Sequence, residues 1–245
     1  MRQIANGKEA AEWAEIQQQL ILEMRSVMPD CNQLEANFAE GLSAGNLDAE
    51  ACNSFLVLYG LQKCDRPGLW DRAFAIAAKQ SNDPWLLRLA AEEHFNRREY
   101  AKSRSFRQNA CFLEKSNPLQ AHDQLQIAAA FRAEKDYRQA RTAIQNAIRL
   151  HPTWGEPYVQ LIDTYLEGSE SCTMSPFERK AMYWLLMDIC QTLKSTDESY
   201  ANLADERYFA YQKLCPTSEE AAFQGWKSGD TYPLKCWMST TTRVK

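Results

Sequence analysis

The chain has 245 residues, of which 45% are apolar and 24% are charged, and its formal net charge is −4. This is the balance of an ordinary globular protein, and the length suits one large domain or a repeat array. The acidic net charge and the lack of a long basic run argue against nucleic acid or an anionic membrane surface as the main partner.

No segment stays apolar over the about 20 residues that a transmembrane helix needs. Residues 1–9 also lack the apolar core of a signal peptide. We therefore expect a soluble body, either as written or as a mature form from which an export signal has been removed.

Apolar residues at three- and four-residue spacing predict a helix near the N-terminus that ends at Pro29. These residues are Trp13, Ile16, Leu20, Met24 and Val27. A second helix, over about residues 32–42, closes at Gly45. We assign residues 1–45 to N-terminal helices, 46–228 to helical repeats and 229–245 to an extended tail packed on the last repeat.

Local capping signals predict where later helices begin. Asp83-Pro84 joins an N-cap residue to a proline in the first helical turn, and Asn117-Pro118 repeats this pattern. The Ser/Thr-x-x-Glu form of a capping box satisfies otherwise unpaired backbone donors. It occurs at Ser175 to Glu178, Ser195 to Glu198 and Thr217 to Glu220.

Small and large residues recur at the offsets of a tetratricopeptide unit, which is a pair of helices of about 34 residues. Small residues let helices approach closely, and large ones fill the gaps between them. The best copy has Gln124, Ile127, Ala128 and Phe131 in its first helix, a turn at Asp136-Tyr137, and Ala140, Ile144, Ala147 and Pro152 in its second. Only Gln124, where tryptophan is usual, departs from the pattern.

Two weaker copies flank the best one. The downstream copy has Tyr158, Leu161, Ile162 and Tyr165, an insertion over 167–174, and then Ala181 and Leu185. The upstream copy has Leu87, Ala90, Ala91 and His94, followed by Tyr100, Ser103, Ala110 and Leu113. We predict an all-α fold, a tetratricopeptide-like repeat array that forms a right-handed α-solenoid. The alternative is an irregular helical bundle with coincidental spacing.

The last 17 residues change character. Gly229-Asp230 is a turn signal, and residues 240–244 are rich in β-branched side chains. They predict a short extended segment or hairpin.

The stretch from Tyr137 to the C-terminus resembles a group of exported tetratricopeptide proteins of Gram-negative bacteria, and a looser similarity extends back to Cys31 and Cys64. The residues that carry the resemblance are Ala140 to Ile144, Pro152 to Tyr158, Cys215 to Glu220, Gly229 to Tyr232, Cys236 to Met238, and Thr240 to Arg243. The resemblance implies a repeat protein of the cell envelope, periplasmic or envelope-associated, without catalytic residues. A cytoplasmic location is the alternative, because no export signal is present.

The sequence offers little for catalysis. None of the three histidines, His94, His122 and His151, has an acidic or cysteine neighbour at metal-ligand spacing, and no nucleotide-binding or hydrolase motif occurs. We predict no cofactor, no metal and no catalytic residue. The predicted function is a scaffold that binds another protein or peptide, and the alternative is an enzyme, or enzyme subunit, with a site in the C-terminal segment.

In a repeat array the first helix of each pair lines a concave groove that can hold a peptide or a partner helix. Counting offsets along the first helices predicts which side chains face this groove. They are Trp85, Arg88, Glu92 and Phe95 in the upstream copy, His122, Leu125 and Arg132 in the best copy, and Glu156, Val159 and Asp163 in the last.

The eight cysteines form no Cys-x-x-Cys motif. We expect most of Cys52, Cys111, Cys190 and Cys215 to be small buried hydrophobes. Cys31 and Cys64 flank the first helices, and Cys172 and Cys236 flank the last repeat and the tail, so each pair is a disulfide candidate. The resemblance to exported proteins favours oxidation; in the cytosol they would be four free thiols.

Overall fold

The computed structural model describes residues 23, 27–44, 47–64, 67–80 and 83–245. The helix predicted from Trp13 onward lies almost entirely outside this part of the chain. The described residues fall into two compact units, one through Leu113 and one from Glu114. We call them the N-terminal unit and the C-terminal unit.

Five helices make up the described N-terminal unit: α1 (Cys31–Ala44), α2 (Ala49–Gln62), α3 (Pro67–Gln80), α4 (Pro84–Asn96) and α5 (Tyr100–Leu113). Helix α2 packs chiefly on α3, and α4 on α5. The core of this unit is built from large side chains, among them Phe38, Leu56, Tyr59, Trp70 and Leu86.

The C-terminal unit has six helices and a hairpin. The helices are α6 (Asn117–Ala133), α7 (Tyr137–Leu150), α8 (Glu156–Ser169), α9 (Pro176–Thr196), α10 (Ala201–Gln212) and α11 (Ser218–Phe223). Strands β1 (Thr231–Leu234) and β2 (Thr240–Arg243) pair antiparallel, with Tyr232 opposite Thr242. The predicted fold class, helical repeats followed by a short β tail, is confirmed.

The turns within three helix pairs share one backbone geometry. Lys63, Arg98 and Lys135 have positive φ angles of 57°, 62° and 61°. In each turn the next backbone N–H closes the first helix by donating to a carbonyl five residues earlier. These bonds are Cys64 to Tyr59, Glu99 to His94, and Asp136 to Phe131. The pair α2–α3, which the sequence pattern did not include among the repeat copies, therefore ends its first helix in the same way as the upstream and best copies.

The small residues of the best copy are buried as predicted. Ala128, Ala140 and Ala147 have at most 2% of their surface exposed, and Ile144 between them has none. Phe131 is only half-buried against this cluster. In the upstream copy Leu113 is 38% exposed, so it does not fill its predicted core position.

Helix starts follow the capping signals in most cases. Asp83 accepts a hydrogen bond from the backbone N–H of Trp85, and the boxes at Ser175 and Thr217 are both complete. The box predicted at Ser195 is wrong, because α9 continues through Thr196 and Asp197 caps the next turn instead. Asn117 is likewise not a cap: it is the first helical residue of α6, after Ser116.

Among the described residues, no helix has both the length and the apolar character that a membrane crossing requires.

Candidate functional site

The N-terminal unit contains a cleft of about 760 Å³ between α2 and α4. We call it the α2–α4 cleft. Helix α2 contributes its C-terminal part, from Val57 to Cys64, and α4 contributes one face from its first turn to Arg97. The lining residues are Val57, Gly60, Leu61, Lys63, Cys64, Trp70, Trp85, Leu89, Glu92, Glu93, Asn96 and Arg97. These helices are first members of their pairs, the position expected to line a groove.

Arg97 is held rigidly at one end of this cleft. Its guanidinium lies 5.2 Å from the ring centroid of the buried Trp70. Its Nε and Nη1 atoms each donate a 2.8 Å hydrogen bond, to Glu93 and Asp71 respectively. Burial alone would lower the pKa of Arg97, but these hydrogen bonds more than offset it and raise the pKa. The third nitrogen, Nη2, is buried and has no hydrogen-bond partner among the described residues.

The rim of the cleft combines an aromatic ring with a carboxylate. Trp85 is 44% exposed, and it is placed at the start of α4 by the Asp83 cap. Glu92 is exposed two turns further along the same helix, and no hydrogen bond or ion pair engages it within the described chain. Half-buried Leu89 lies between them. The cleft thus offers an apolar wall with a charge at one end.

The four groove residues predicted in the upstream copy are separated by this geometry. Trp85 and Glu92 line the α2–α4 cleft, whereas Arg88 and Phe95 are half-buried outside its lining. The ring of Phe95 packs edge-on against Tyr100, with centroids 5.3 Å apart.

In the C-terminal unit, the polar side chains Arg132, Glu156 and Asp163 predicted for the groove are engaged by neighbouring side chains. Arg132 bonds to Glu167 and Gln160, and Asp163 forms a 2.8 Å ion pair with Arg207 of α10. Glu156 accepts a 3.0 Å hydrogen bond from the hydroxyl of Tyr200. Burial of Tyr200 and the nearby carboxylate of Glu156 together raise the pKa of Tyr200 to about 12. We call these contacts the polar ladder, since they tie α6, α8 and α10 together.

Leu125 and Val159 do not face solvent. Each is 8% exposed, and Val159 packs with Leu193 and Ala204 in a small cluster of its own. His122 stays exposed beside Trp154, with ring centroids 6.5 Å apart. Of the predicted residues in this unit, His122 therefore offers the most accessible side chain.

His94 has a structural environment. It is 7% exposed, stacks on Phe106 and makes a 2.6 Å contact with Glu99. Hydrogen bonds from Lys102 and His94 lower the pKa of Glu99. In the described part of the chain, no three His, Cys, Asp or Glu side chains are grouped so that they could hold a metal ion.

The C-terminal hairpin is anchored on the helices by an aromatic residue and a cysteine pair. The sulfur atoms of Cys172 and Cys236 lie 2.18 Å apart, which is disulfide-bonding distance. The Trp237 ring packs against Tyr137 and Tyr165, and its Nε1 donates to the carbonyl of Gly168. The sequence analysis did not predict the contact between Trp237 and Gly168. The available signal for this contact is a glycine within a predicted helix, the position of Gly168 in α8.

The other cysteines have different environments. Cys31 and Cys64 also lie at bonding distance, 2.04 Å, and join the start of α1 to the end of α2. Cys52 and Cys190 are buried, and Cys111 and Cys215 are half-buried. Burial raises the pKa of the Cys190 thiol to about 11.

A second groove, of about 550 Å³, lies between α9 and α10. Its apolar part is formed by Ala204, Tyr208 and Phe209, and Phe209 is 58% exposed. Lys194 and Asp205 form an ion pair in its lining. Both are about half exposed, so the pair is a weak surface interaction.

No known family profile and no curated protein matches the chain. Solved structures that resemble it include a chain of the APC/C hetero-tetramer Cut9–Hcn1, with 16% identity and a TM-score of 0.44 over 71% of this chain and 28% of that chain. Pseudomonas aeruginosa PilF matches with 15% identity and a TM-score of 0.45 over 89% of this chain and 99% of that chain. The chain spans less than a third of the Cut9–Hcn1 chain. At such scores the likeness carries no argument about function, and the fold assignment rests on the helix pairs described above.

Proposed function

We propose that this protein is a non-catalytic scaffold that binds another polypeptide through the α2–α4 cleft. The observation that carries the proposal is Trp85, a tryptophan 44% exposed on the rim of a concave, partly apolar cleft. Tryptophan is among the side chains that most often dominate protein interfaces, because it buries a large area with little loss of side-chain freedom. Among the groove residues predicted from the repeat offsets, Arg132, Glu156 and Asp163 of the C-terminal unit are engaged in the polar ladder, whereas Trp85 and Glu92 remain exposed, which favours the N-terminal unit as the binding site.

We further propose that the scaffold works in the periplasm or cell envelope, as a subunit or accessory of an envelope complex. Two cysteine pairs at bonding distance support this location, since disulfides persist mainly in oxidising compartments.

The test is affinity capture from the native host with three baits: the natural chain, Trp85→Ala and Phe112→Ala. Phe112 is 86% exposed on α5 and lies outside the cleft lining, so it controls for the loss of an exposed aromatic ring. We expect the natural chain and Phe112→Ala to retain the same partner and Trp85→Ala to lose it. Equal retention by all three baits would remove the cleft as the binding site.

A further inference from the structure

The loop that joins β1 to β2, residues 235–239, is attached to the helices through three consecutive residues. We call it the tail loop. Cys236 forms the cysteine pair described above, and Trp237 packs against the aromatic residues of α7 and α8. In addition, the guanidinium of Arg141 on α7 donates a hydrogen bond to the backbone carbonyl of Met238.

Two residues of the tail loop have a backbone conformation that a side chain disfavours. The φ angle is 63° at Cys236 and 39° at Ser239, within the left-handed region that glycine adopts most readily. Such conformations persist where surrounding contacts enforce them, and they often occur at sites that switch between two states. The three attachments enforce the conformation here, so the loss of one allows these two residues to relax.

The two cysteines of the tail pair differ in accessibility. Cys236 is exposed, whereas Cys172 is only 5% exposed. Cys31 and Cys64, which form the other pair, are both half-buried. In thiol–disulfide exchange a thiolate must reach one sulfur of the disulfide, and exposed or strained disulfides are the labile ones. The tail pair is therefore open to attack at Cys236, the same residue that has the left-handed backbone.

We propose that the Cys172–Cys236 disulfide is a redox-sensitive site that a dithiol reductant opens by attack at Cys236. A thiolate of the reductant forms a mixed disulfide with Cys236, and Cys172 leaves as a thiolate that takes up a proton. The second thiol of the reductant loses its proton, attacks its partner sulfur in the mixed disulfide and releases Cys236 as a thiol. The protein disulfide gains two electrons, and the dithiol loses them as it becomes a disulfide.

Opening this disulfide changes what the tail loop covers. One of its three attachments is gone, and relaxation of the two left-handed residues then favours release of the loop. Release moves the Trp237 ring away from Tyr137 and Tyr165 and uncovers the Gly168 carbonyl. The site lies in the C-terminal unit and uses no residue of the α2–α4 cleft, so it goes beyond the proposed binding function and can fail or stand separately from it.

Stepwise reduction of the folded, full-length chain tests the difference in accessibility. The oxidised protein is exposed to dithiothreitol for increasing times without denaturant, then alkylated with N-ethylmaleimide and mapped by peptide mass. We expect Cys172 and Cys236 to acquire the label about tenfold faster than Cys31 and Cys64. Equal rates, or faster opening of the Cys31–Cys64 pair, overturn the inference.

Hydrogen–deuterium exchange tests whether the loop is released. The amides of residues 229–245 should exchange about tenfold faster once the tail pair is reduced, because local opening exposes them to solvent. Reoxidation should restore slow exchange. Amides of α6 should be unaffected throughout, which shows that the unit remains folded. Unchanged exchange in residues 229–245 after reduction, or fast exchange that persists after reoxidation, contradicts a redox-controlled release.

Two double variants assign the response to the correct pair. Cys31→Ser with Cys64→Ser keeps the tail pair and should respond to dithiothreitol as the natural chain does. Cys172→Ser with Cys236→Ser should exchange rapidly in residues 229–245 without a reductant and show no further change when it is added. The opposite pattern overturns the inference, and the natural chain alone decides if either variant does not fold.

Discussion

The indole of Trp237 occupies the space that a side chain on Gly168 would need. A Cβ atom at position 168 would lie 2.4 Å from Cζ2 of Trp237 and 2.7 Å from Cγ of Tyr137. The Nε1 atom of the same indole donates a 2.9 Å hydrogen bond to the Gly168 carbonyl. The absence of a side chain in α8 is thus what lets the C-terminal tail dock on the helices.

Gly168→Ala is therefore expected to destabilise the protein by about 1–3 kcal/mol through overpacking, despite the better helix propensity of alanine. Gly60→Ala is the matched control, because a Cβ atom at position 60 on α2 would meet no atom of the described residues within 4 Å. The control should be neutral or stabilising by up to about 1 kcal/mol. Urea unfolding of both variants measures the difference, and equal stability would show that the tail is not docked in this way.

The cysteine pairs lead to a prediction about covalent state. In protein from an oxidising compartment that is denatured and alkylated without reduction, we expect four labels, on Cys52, Cys111, Cys190 and Cys215. Intact-mass measurement counts them. Eight labels would mean that neither pair is oxidised, and the proposed periplasmic location would lose its main physical support.

Breaking the tail pair should also lower stability. The Cys172–Cys236 link spans 64 residues, and closing a loop of this size can contribute up to about 4 kcal/mol, although measured values are often smaller. Cys172→Ser with Cys236→Ser is expected to lower the unfolding midpoint under oxidising conditions. With a reductant present, the double variant and the natural chain should unfold at nearly the same midpoint; a difference that persists there would point to lost packing.

Alkaline pH should destabilise the protein through its tyrosines. Burial, with Glu156, raises the pKa of Tyr200 to about 12, and burial likewise raises that of Tyr211 to about 12. In the unfolded chain tyrosine ionises near pH 10. Between pH 10 and 12 the folded state therefore binds more protons than the unfolded chain. The contribution of these tyrosines to the free energy of unfolding is fully present below pH 10 and declines as the pH rises toward 12.

Tyr200→Phe isolates one of these groups. The variant loses the hydrogen bond to Glu156 and should be less stable than the natural chain at pH 8. Its stability should then fall less steeply from pH 10 upward. Urea midpoints at pH 8, 10 and 11 measure both effects, and an unchanged slope would contradict the assignment to Tyr200.

The left-handed turn residue of the best repeat offers a stabilising substitution. Lys135 has a φ angle of 61°, a conformation that costs a residue with a side chain about 1–2 kcal/mol more than glycine. Lys135→Gly should raise the free energy of unfolding by about 0.5–1 kcal/mol, after the greater chain entropy of glycine is subtracted. Lys135→Ala, which keeps a Cβ, should give no gain. Equal effects of the two substitutions would contradict the turn geometry.

Local signals in the sequence predict much of this fold. Asp83 and Ser175 act within one helical turn, so their caps can be recognised without knowledge of the tertiary structure. Ser195 shows the limit of such signals: its box pattern is present, but α9 extends past it to Asp197. A capping motif does not report whether the preceding helix has already ended.

The candidate site was only partly predictable, because long-range contacts decide which side chains remain available. The repeat offsets predict that Val159 and Asp163 face a groove. Elements that follow in the chain instead bury Val159, and Asp163 forms an ion pair with Arg207. Trp85 and Glu92 keep their exposure on α4. Trp237 and Gly168 are 69 residues apart, so no local pattern joins them.

The most direct test of the central claim is site-specific photo-crosslinking in the native host. The photoreactive amino acid p-benzoylphenylalanine replaces Asn96, an exposed residue of the cleft lining, in one variant and Phe112 in the other, so that Trp85 is kept in both. The binding function proposed for the α2–α4 cleft predicts a discrete adduct with a second polypeptide from position 96 and none from position 112. No adduct from position 96, or the same adduct from both positions, would contradict it.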